Sequence, residues 1–122
     1  MTTKFFADTY ALIEIFKGNE NYRLISNEHI ITSTFHLAEL YYYLLRSCDE
    51  ALADKYFDEC EENCIEISTT ALKAAMKFKL INKKDRLSQA DCIGYARACE
   101  LGIPFLTGDS KFEGKPNVTF VK

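Results

Sequence analysis

Residues 87–109, LSQADCIGYARACELGIPFLTGD, contain a complete helix-to-strand unit. Ser88 is a residue type that commonly begins a helix, and Gly102 followed by Pro104 is a typical helix stop. The apolar run Phe105-Leu106-Thr107 after this stop has the pattern of a short buried strand. A helix that leads directly into a buried strand is typical of α/β proteins, whose strands pair in parallel.

The rest of the chain repeats this alternation. Short apolar runs predict strands at 4–7, 29–32, 64–67, 105–107 and 118–121. Apolar residues spaced three or four apart, together with capping residues, predict helices from Thr9 to about Gly18 and over 21–26, 34–48, 50–61, 70–80 and 88–102. Strands separated by helices imply parallel pairing with right-handed crossovers. We therefore predict a three-layer α/β/α sandwich with a central, mostly parallel sheet of about five strands.

The predicted helix 34–48 is rich in apolar and aromatic residues. Phe35, Ala38, Tyr42 and Leu45 fall on one stripe, and such a stripe usually faces the core. The run Tyr41-Tyr42-Tyr43 covers every side of the helix, so at least one ring should be exposed or buried against another chain. A core tyrosine whose hydroxyl reaches water is the alternative.

Length and composition indicate one small domain. With 122 residues, 48% of them hydrophobic, the chain can form one core, and we predict a single domain over 1–122. No apolar run approaches the roughly 20 residues that span a bilayer, and the start Met1-Thr2-Thr3-Lys4 has no signal-peptide pattern. We expect a cytoplasmic protein without a membrane segment. The net charge of −3 argues against a broadly basic surface, so any contact with nucleic acid must be local.

The cysteines indicate a reduced chain. There are five, an odd number, and none forms a C-x-x-C pair. His29 and His36 complete no zinc-binding spacing with them. We therefore expect free thiols and no zinc site.

Acidic residues stand at corresponding places in several strand-to-helix units. Asp8 and Asp109 follow predicted strands, Asp91 lies in the first turn of the helix before the Asp109 strand, and Glu39 lies in the second turn of helix 34–48. The carboxyl ends of parallel strands meet at one edge, so all of these side chains can share a cleft. Packed carboxylates raise one another's pKa unless a cation neutralises them. Oxygen ligands favour Mg²⁺, with Mn²⁺ as a second possibility.

Each aspartate also has a purely structural explanation. Asp8 is a suitable cap for the helix that begins at Thr9. Ser88 and Asp91 fit a capping box, in which the acid accepts a hydrogen bond from the backbone N–H of the cap residue. Asp109 fits an ordinary turn.

Glu39 is harder to explain by local structure, because Phe35, Ala38 and Tyr42 surround it in the sequence. A buried carboxylate without a partner costs several kcal/mol, so Glu39 should have one. A salt bridge to Arg46 is the structural explanation, and it would be weak at a partly exposed site.

Four segments together resemble the motifs of the PIN-domain nucleases, in particular the VapC-type toxins of toxin-antitoxin modules. No segment is specific alone, and the resemblance rests on their order and spacing along essentially the whole chain. The segments are FFADTYALI (5–13), TFHLAEL (34–40), LSQADCIGYA (87–96) and FLTGDSKF (105–112).

The resemblance implies a metal-dependent endoribonuclease that hydrolyses RNA phosphodiester bonds. Glu39 completes the site or orients the attacking water in that scheme, and the residues that hold one or two Mg²⁺ ions are Asp8, Asp91 and Asp109. Hydroxyl groups donate hydrogen bonds to these carboxylates or to phosphate, with turn and cap roles as the alternative, from Thr9, Thr107 and Ser110. The resemblance also implies an antitoxin partner and a homodimer.

Basic residues lie close to the acidic motifs in the sequence. Lys83, Lys84 and Arg86 precede Asp91, and Lys111 follows Asp109. They are candidates to contact RNA phosphates on either side of the scissile bond. An ordinary solvated loop over 83–86 is the alternative.

Two other functions fit the same residues. A housekeeping PIN ribonuclease of RNA maturation would have the same motifs as a toxin. A non-catalytic α/β interaction module would use the acids only as caps and turns. A phosphate-receiver domain is disfavoured, because the first strand carries no suitable acid pair.

Overall fold

The computed structural model describes residues 4–25 and 29–122. Its sheet is parallel, with the strand order β2-β1-β3-β4. The strands are β1 (Phe5–Ala7), β2 (Ile30–Ile31), β3 (Phe105–Thr107) and β4 (Val118–Phe120). The helices are α1 (Thr9–Phe16), α2 (Thr34–Ser47), α3 (Glu50–Glu61), α4 (Thr69–Ile81) and α5 (Gln89–Leu101). The predicted α/β fold is confirmed.

The inner strands β1 and β3 are buried on both faces, as those of a parallel sheet usually are, whereas β4 is only partly buried. Ala7 and Leu106 pack with α1, α2 and α3 on one face. Phe6 and Phe105 pack with α4 and α5 on the other. Because side chains alternate along each strand, a run of three apolar residues can supply both layers.

The predicted strand at 64–67 is wrong. Cys64 forms a single parallel bridge with Thr32, and Ile65 donates its N–H to the Thr32 carbonyl at 2.9 Å. Directly after Thr32, Ser33 turns away as the cap of α2 and leaves residues 65–67 no strand to pair with. The sheet of the described chain has four strands rather than about five.

The short helix predicted over 21–26 is only partly testable, because its last residue lies outside the described residues. A 3₁₀ helix covers Glu20–Tyr22 instead. Its cap is Asn19, whose side chain accepts a hydrogen bond from the N–H of Asn21 at 2.9 Å.

The predicted core stripe of α2 faces outward, which corrects the prediction. Phe35 is 44% exposed, Tyr42 65% and Leu45 42%. The helix carries a second apolar stripe that packs into the core instead, formed by His36, Leu37, Leu40 and Leu44. The exposed Tyr42 ring confirms that at least one of the three tyrosines faces outward.

Helix α5 has the ends that the sequence predicts. Ser88 Oγ accepts a hydrogen bond from the Asp91 N–H at 3.0 Å, and the Ser88 N–H donates to Asp91 Oδ2 at 3.2 Å. Gly102 ends the helix in the left-handed conformation, with φ of 70°. The capping box therefore holds the Asp91 side chain at the start of α5.

A close contact at Gly94 sets the distance between α5 and its neighbours. A Cβ at Gly94 would lie 2.7 Å from His36 Nε2 and 2.9 Å from a ring carbon of Phe105. His36 is fully buried, and burial lowers its pKa to about 4, so the ring is neutral near pH 7. Gly94 thus allows α5, which carries Asp91, to pack directly on α2 and β3.

Two further properties bear on the sequence predictions. No helix within residues 4–25 and 29–122 has the length and apolar character to cross a membrane. The five cysteines are free thiols, with Cys60 and Cys92 buried and Cys99 exposed.

Candidate active site

Asp8 lies at the carboxyl end of β1, where the chain enters α1. Its N–H donates to the Leu106 carbonyl at 3.2 Å, and its Oδ1 accepts from the N–H of Ala11 at 2.9 Å. Asp8 is therefore the helix cap that its sequence position suggests. It is also an ionisable group of the interior, with only 1% of its surface exposed. An ordinary cap is solvated, so capping alone does not explain this burial.

Burial raises the pKa of the Asp8 carboxyl from 3.8 to about 8. Hydrogen bonds from Thr107 and Ala11 oppose the rise, whereas the charges of Asp91 and Asp109 add to it. Burial therefore favours the protonated form of Asp8 when no cation is bound. The electrostatic effects also show that Asp8, Asp91 and Asp109 lie within range of one another.

Asp91 comes to the same edge from α5. Burial raises the pKa of its carboxyl, and the Asp109 charge contributes to the rise. Hydrogen bonds from Ser88 and the positive charge of Lys111 act in the opposite direction. The capping box of α5 and the acidic site thus use the same side chain.

Thr107 connects the acids of β1 and β3. It is fully buried, its hydroxyl donates to the Asp8 carboxylate, and its Oγ1 accepts the Asp109 N–H at 3.0 Å. Asp109 Oδ1 also accepts the N–H of Lys111 at 3.0 Å. Ser110 is exposed at the start of the 3₁₀ helix Ser110–Phe112. Of the three predicted supporting hydroxyls, Thr107 makes the most contacts with the acids.

Glu39 reaches this edge but is exposed, contrary to the expectation that it is buried. Thr9, the residue after Asp8, donates its hydroxyl to Glu39 Oε1 at 2.6 Å. The suggested partner Arg46 lies elsewhere, with its guanidinium 4.8 Å from the centre of the Tyr42 ring. Glu39 therefore lies on the same side of the sheet as Asp8, at the rim of the pocket.

The acidic pocket, meaning here the edge where Asp8, Asp91 and Asp109 meet, is not a closed metal cage. As the side chains stand, no three His, Cys, Asp or Glu residues of the described chain are grouped to enclose an ion. Asp8, Asp91 and Asp109 each accept a backbone N–H, which restricts how far they converge. Mg²⁺ usually keeps several waters and binds few carboxylates directly. An all-oxygen set of partly engaged carboxylates fits that mode of binding.

The predicted basic residues lie on the α5 side of the pocket. Lys83, Lys84 and Arg86 are exposed, with the first two in the 3₁₀ helix Lys83–Asp85. Lys111 Nζ donates to the Arg86 carbonyl at 3.3 Å, which links this loop to the acidic edge. The loop is also anchored by an ion pair of 3.0 Å between Lys115 and Asp85.

Sequence reasoning missed two residues at this edge, Gly108 and Lys122. A Cβ at Gly108 would lie 2.3 Å from both a Tyr10 ring carbon and the Val121 carbonyl oxygen. Lys122 Nζ donates to the Gly108 carbonyl at 3.3 Å. Glycine at the end of a strand is a signal for such close packing. Lys122 has no comparable local signal.

Comparison with known proteins gives a consistent assignment. A sequence model of the PIN domain matches residues 5–117. A comparison with curated proteins found no significant match. Among solved structures, the fold is similar to Mycobacterium tuberculosis VapC20, a sarcin-ricin-loop-cleaving toxin, with a TM-score of 0.78, 16% identity and coverage of 98% of this chain and 100% of that one.

Two toxin-antitoxin structures are also similar. A toxin-antitoxin complex from Klebsiella pneumoniae gives a TM-score of 0.72 and 19% identity, covering 95% of this chain and 96% of that one. DNA-bound VapBC from Salmonella typhimurium gives a TM-score of 0.71 and 19% identity, covering 98% of this chain and 97% of that one. At these identities the likeness concerns the fold alone. The sequence match over residues 5–117, on a fold that shares its architecture with these structures, shows that the chain belongs to the PIN domain family.

Proposed function

We propose that this protein is a divalent-metal-dependent endoribonuclease that hydrolyses phosphodiester bonds in RNA. The observation that carries the proposal is the buried Asp8 carboxyl, which lies within electrostatic range of Asp91 and Asp109 at the carboxyl edge of the sheet. Keeping the ionised form of this group in the interior is costly unless a cation balances it. Membership of the PIN domain family supports the nuclease class.

In this proposal Asp8, Asp91 and Asp109 hold Mg²⁺, or Mn²⁺, directly or through water. When bound, the ion supplies a more acidic water and positive charge for the phosphate oxygens. Glu39, held by Thr9, orients the attacking water at the rim. Thr107 fixes the position of Asp8 relative to Asp109 through its two hydrogen bonds.

The charge of the pocket also requires cations on the protein surface. A negative pocket repels an RNA backbone, so flanking basic residues must offset that repulsion. We infer that this role belongs to residues on the α5 side, namely Lys83, Lys84, Arg86 and Lys111. Their position next to Asp91, through the contact of Lys111 with the Arg86 carbonyl, supports the inference.

We further propose that the protein is the toxin of a toxin-antitoxin module, with an antitoxin protein as partner and a homodimer as its assembly. The exposed apolar stripe of α2 supports a protein partner, since Phe35, Tyr42 and Leu45 are each more than two-fifths exposed. A cavity of about 420 Å³ adjoins it, lined by residues that include Phe35, Ile65 and Leu72. Sedimentation equilibrium with Tyr42→Lys tests whether this face joins two copies.

Mg²⁺ should stabilise the folded protein in a saturable way. An ion that binds only the folded state adds about 2.7 kcal/mol at 100 times its Kd, which raises the melting temperature. The measurement is thermal unfolding across a Mg²⁺ titration, with cleavage of a labelled RNA followed in the same samples. Asp91→Asn should reduce both effects. A wild-type protein that shows neither stabilisation nor cleavage would instead be the non-catalytic interaction module.

Induced expression should separate a toxin from a housekeeping ribonuclease. We expect the wild-type protein to arrest bacterial growth, because free toxin cleaves RNA without restraint. Asp91→Asn, which keeps the surface but lacks a proposed metal ligand, should not arrest growth at equal protein level. Normal growth with wild-type protein that cleaves RNA in vitro would favour the RNA-maturation role.

A further inference from the structure

Lys122 lies at the acidic edge although it is far from the acids in sequence. It follows β4 by two residues, and the four parallel strands present their carboxyl ends at the same edge. Strand β4 is the neighbour of β3, so the chain leaves β4 beside Gly108 and Asp109. The hydrogen bond of 3.3 Å from Lys122 Nζ to the Gly108 carbonyl shows this proximity directly.

Two aromatic rings and one carbonyl lie beside the exposed Lys122 side chain. Its ammonium lies 5.9 Å from the centre of the Tyr10 ring and 6.0 Å from that of the Phe120 ring. Asn21 donates to the Lys122 carbonyl at 2.8 Å, and Tyr22 donates to the Val121 carbonyl at 2.5 Å. The hydrogen bonds from Asn21 and Tyr22 hold the backbone at residues 121–122, which places the exposed Lys122 side chain at this edge.

The ammonium retains donors for a ligand. It has three N–H groups, and among the hydrogen bonds of the described residues only the Gly108 carbonyl uses one. A cation with unused donors at the rim of an acidic pocket suits an anion that must approach that pocket. Lys111, which follows Asp109, also lies at this edge, close enough to affect the pKa of Asp91.

We propose that Lys122 binds a phosphate of single-stranded RNA on the β4 side of the acidic pocket, next to the scissile phosphate. The rings of Tyr10 and Phe120 position its side chain, and Gly108 leaves the space for that arrangement. This inference rests on the proposed ribonuclease function and adds a binding residue to the same site.

The test measures RNA binding in the Asp8→Asn background, which prevents cleavage. Fluorescence anisotropy with a short labelled single-stranded RNA gives Kd over a range of NaCl concentrations. One phosphate contact on a single strand contributes about 0.7 to the slope of log Kd against log salt. Lys122→Gln should therefore lower that slope by about 0.7 and weaken binding about fivefold at 0.1 M salt, with little effect near 1 M. Lys122→Arg should retain both values.

Lys73→Gln is the matched control. Lys73 is exposed in the first half of α4, and Ser68 before α4 bonds to Glu100 near the end of α5 farthest from Asp91. This substitution removes the same charge and should leave the salt slope unchanged. Lys122→Met keeps an apolar stem beside the two rings and should lower the salt slope by the same amount as Lys122→Gln. It serves as a second uncharged variant in case Lys122→Gln alters folding.

The outcomes separate this inference from the proposed function. A salt slope of Lys122→Met equal to that of Lys73→Gln would overturn the role of Lys122, provided that the parent protein cleaves RNA with Mg²⁺. A parent protein that neither cleaves RNA nor binds it in the Asp8→Asn form would overturn the ribonuclease proposal itself. The inference is supported if the slope of log Kd against log salt falls in Lys122→Gln and Lys122→Met, which lack the charge, and in no other variant.

Discussion

Asp8→Asn should abolish Mg²⁺-dependent RNA cleavage, with a loss of at least about 100-fold, the order of magnitude for a group that stabilises charge in a transition state. The substitution removes a proposed metal ligand but keeps the shape of the side chain. Asn is also a good helix cap, so the hydrogen bond to the Ala11 N–H can persist. The rate is measured with labelled RNA at saturating Mg²⁺. Cleavage at the wild-type rate would remove Asp8 from the site.

The same substitution should change how stability depends on pH in the absence of metal. The pKa of Asp8 is raised in the folded state to about 8, from 3.8. Its stabilising effect is therefore complete below pH 3.8 and is lost as the pH rises through about 8, because the unfolded chain ionises first. The wild-type free energy of unfolding should fall over this range. Asp8→Asn should show a flatter profile and greater stability near pH 8.

Asp49→Asn is the matched control for the cleavage measurement. Asp49 caps α3 in the same way, accepting the Leu52 N–H at 2.8 Å, but it is exposed. The substitution should leave RNA cleavage unchanged. Asp8→Ala, which removes the cap, should have a free energy of unfolding about 1 kcal/mol lower than that of Asp8→Asn. If Asp8→Asn is less stable than the wild type across the whole pH range, Asp8 is a structural cap and the argument from its burial is wrong.

Gly108→Ala should cause a large loss of stability and of activity together. The new Cβ would lie 2.3 Å from the Tyr10 ring and from the Val121 backbone oxygen, and neither distance is tolerated without movement. Overpacking of this kind typically costs about 1–3 kcal/mol. Movement at residue 108 also displaces the adjoining Asp109. The measurements are the midpoint of urea unfolding and the cleavage rate at saturating Mg²⁺.

The double variant Gly108→Ala/Tyr10→Ala separates the two conflicts. Removing the Tyr10 ring relieves the side-chain clash but not the clash with the Val121 carbonyl. We therefore expect Gly108→Ala to lower the free energy of unfolding less in the Tyr10→Ala background than in the wild type. Part of the loss should remain, because the clash with the Val121 carbonyl remains. An unchanged urea midpoint for the single variant would show that β4 can move away without loss, which would also weaken the case for Lys122 beside Gly108.

The accuracy of the sequence predictions depended on how local each feature is. The ends of α5 follow from Ser88, Asp91 and Gly102, whose hydrogen bonds and conformation lie within a few residues. The strand at 64–67 was predicted wrongly, because pairing depends on the length of a distant strand. Strand β2 ends after Ile31, and the chain turns away at Ser33. No local pattern at 64–67 contains that information.

The local sequence of α2 also did not show which of its faces is buried. Both of its stripes are apolar, and the packing of α1, α3 and β1 selects the one with Leu37, Leu40 and Leu44. Glu39 is exposed as a result, and its partner is Thr9 from another helix. The expectation of a buried glutamate failed for the same reason as the expectation of a buried Phe35 stripe.

Sequence alone was sufficient to predict the α/β alternation apart from the strand at 64–67, the helix caps and the placing of the acids after strands, because these depend on propensities and hydrogen bonds between near neighbours. The burial of Asp8 with a pKa of about 8, the position of Glu39 at the rim and the contact of Lys122 with Gly108 became known only from the folded chain. Burial and charge interactions depend on distances between segments that are remote along the chain. Those distances exist only after the strands have paired and the helices have packed on them.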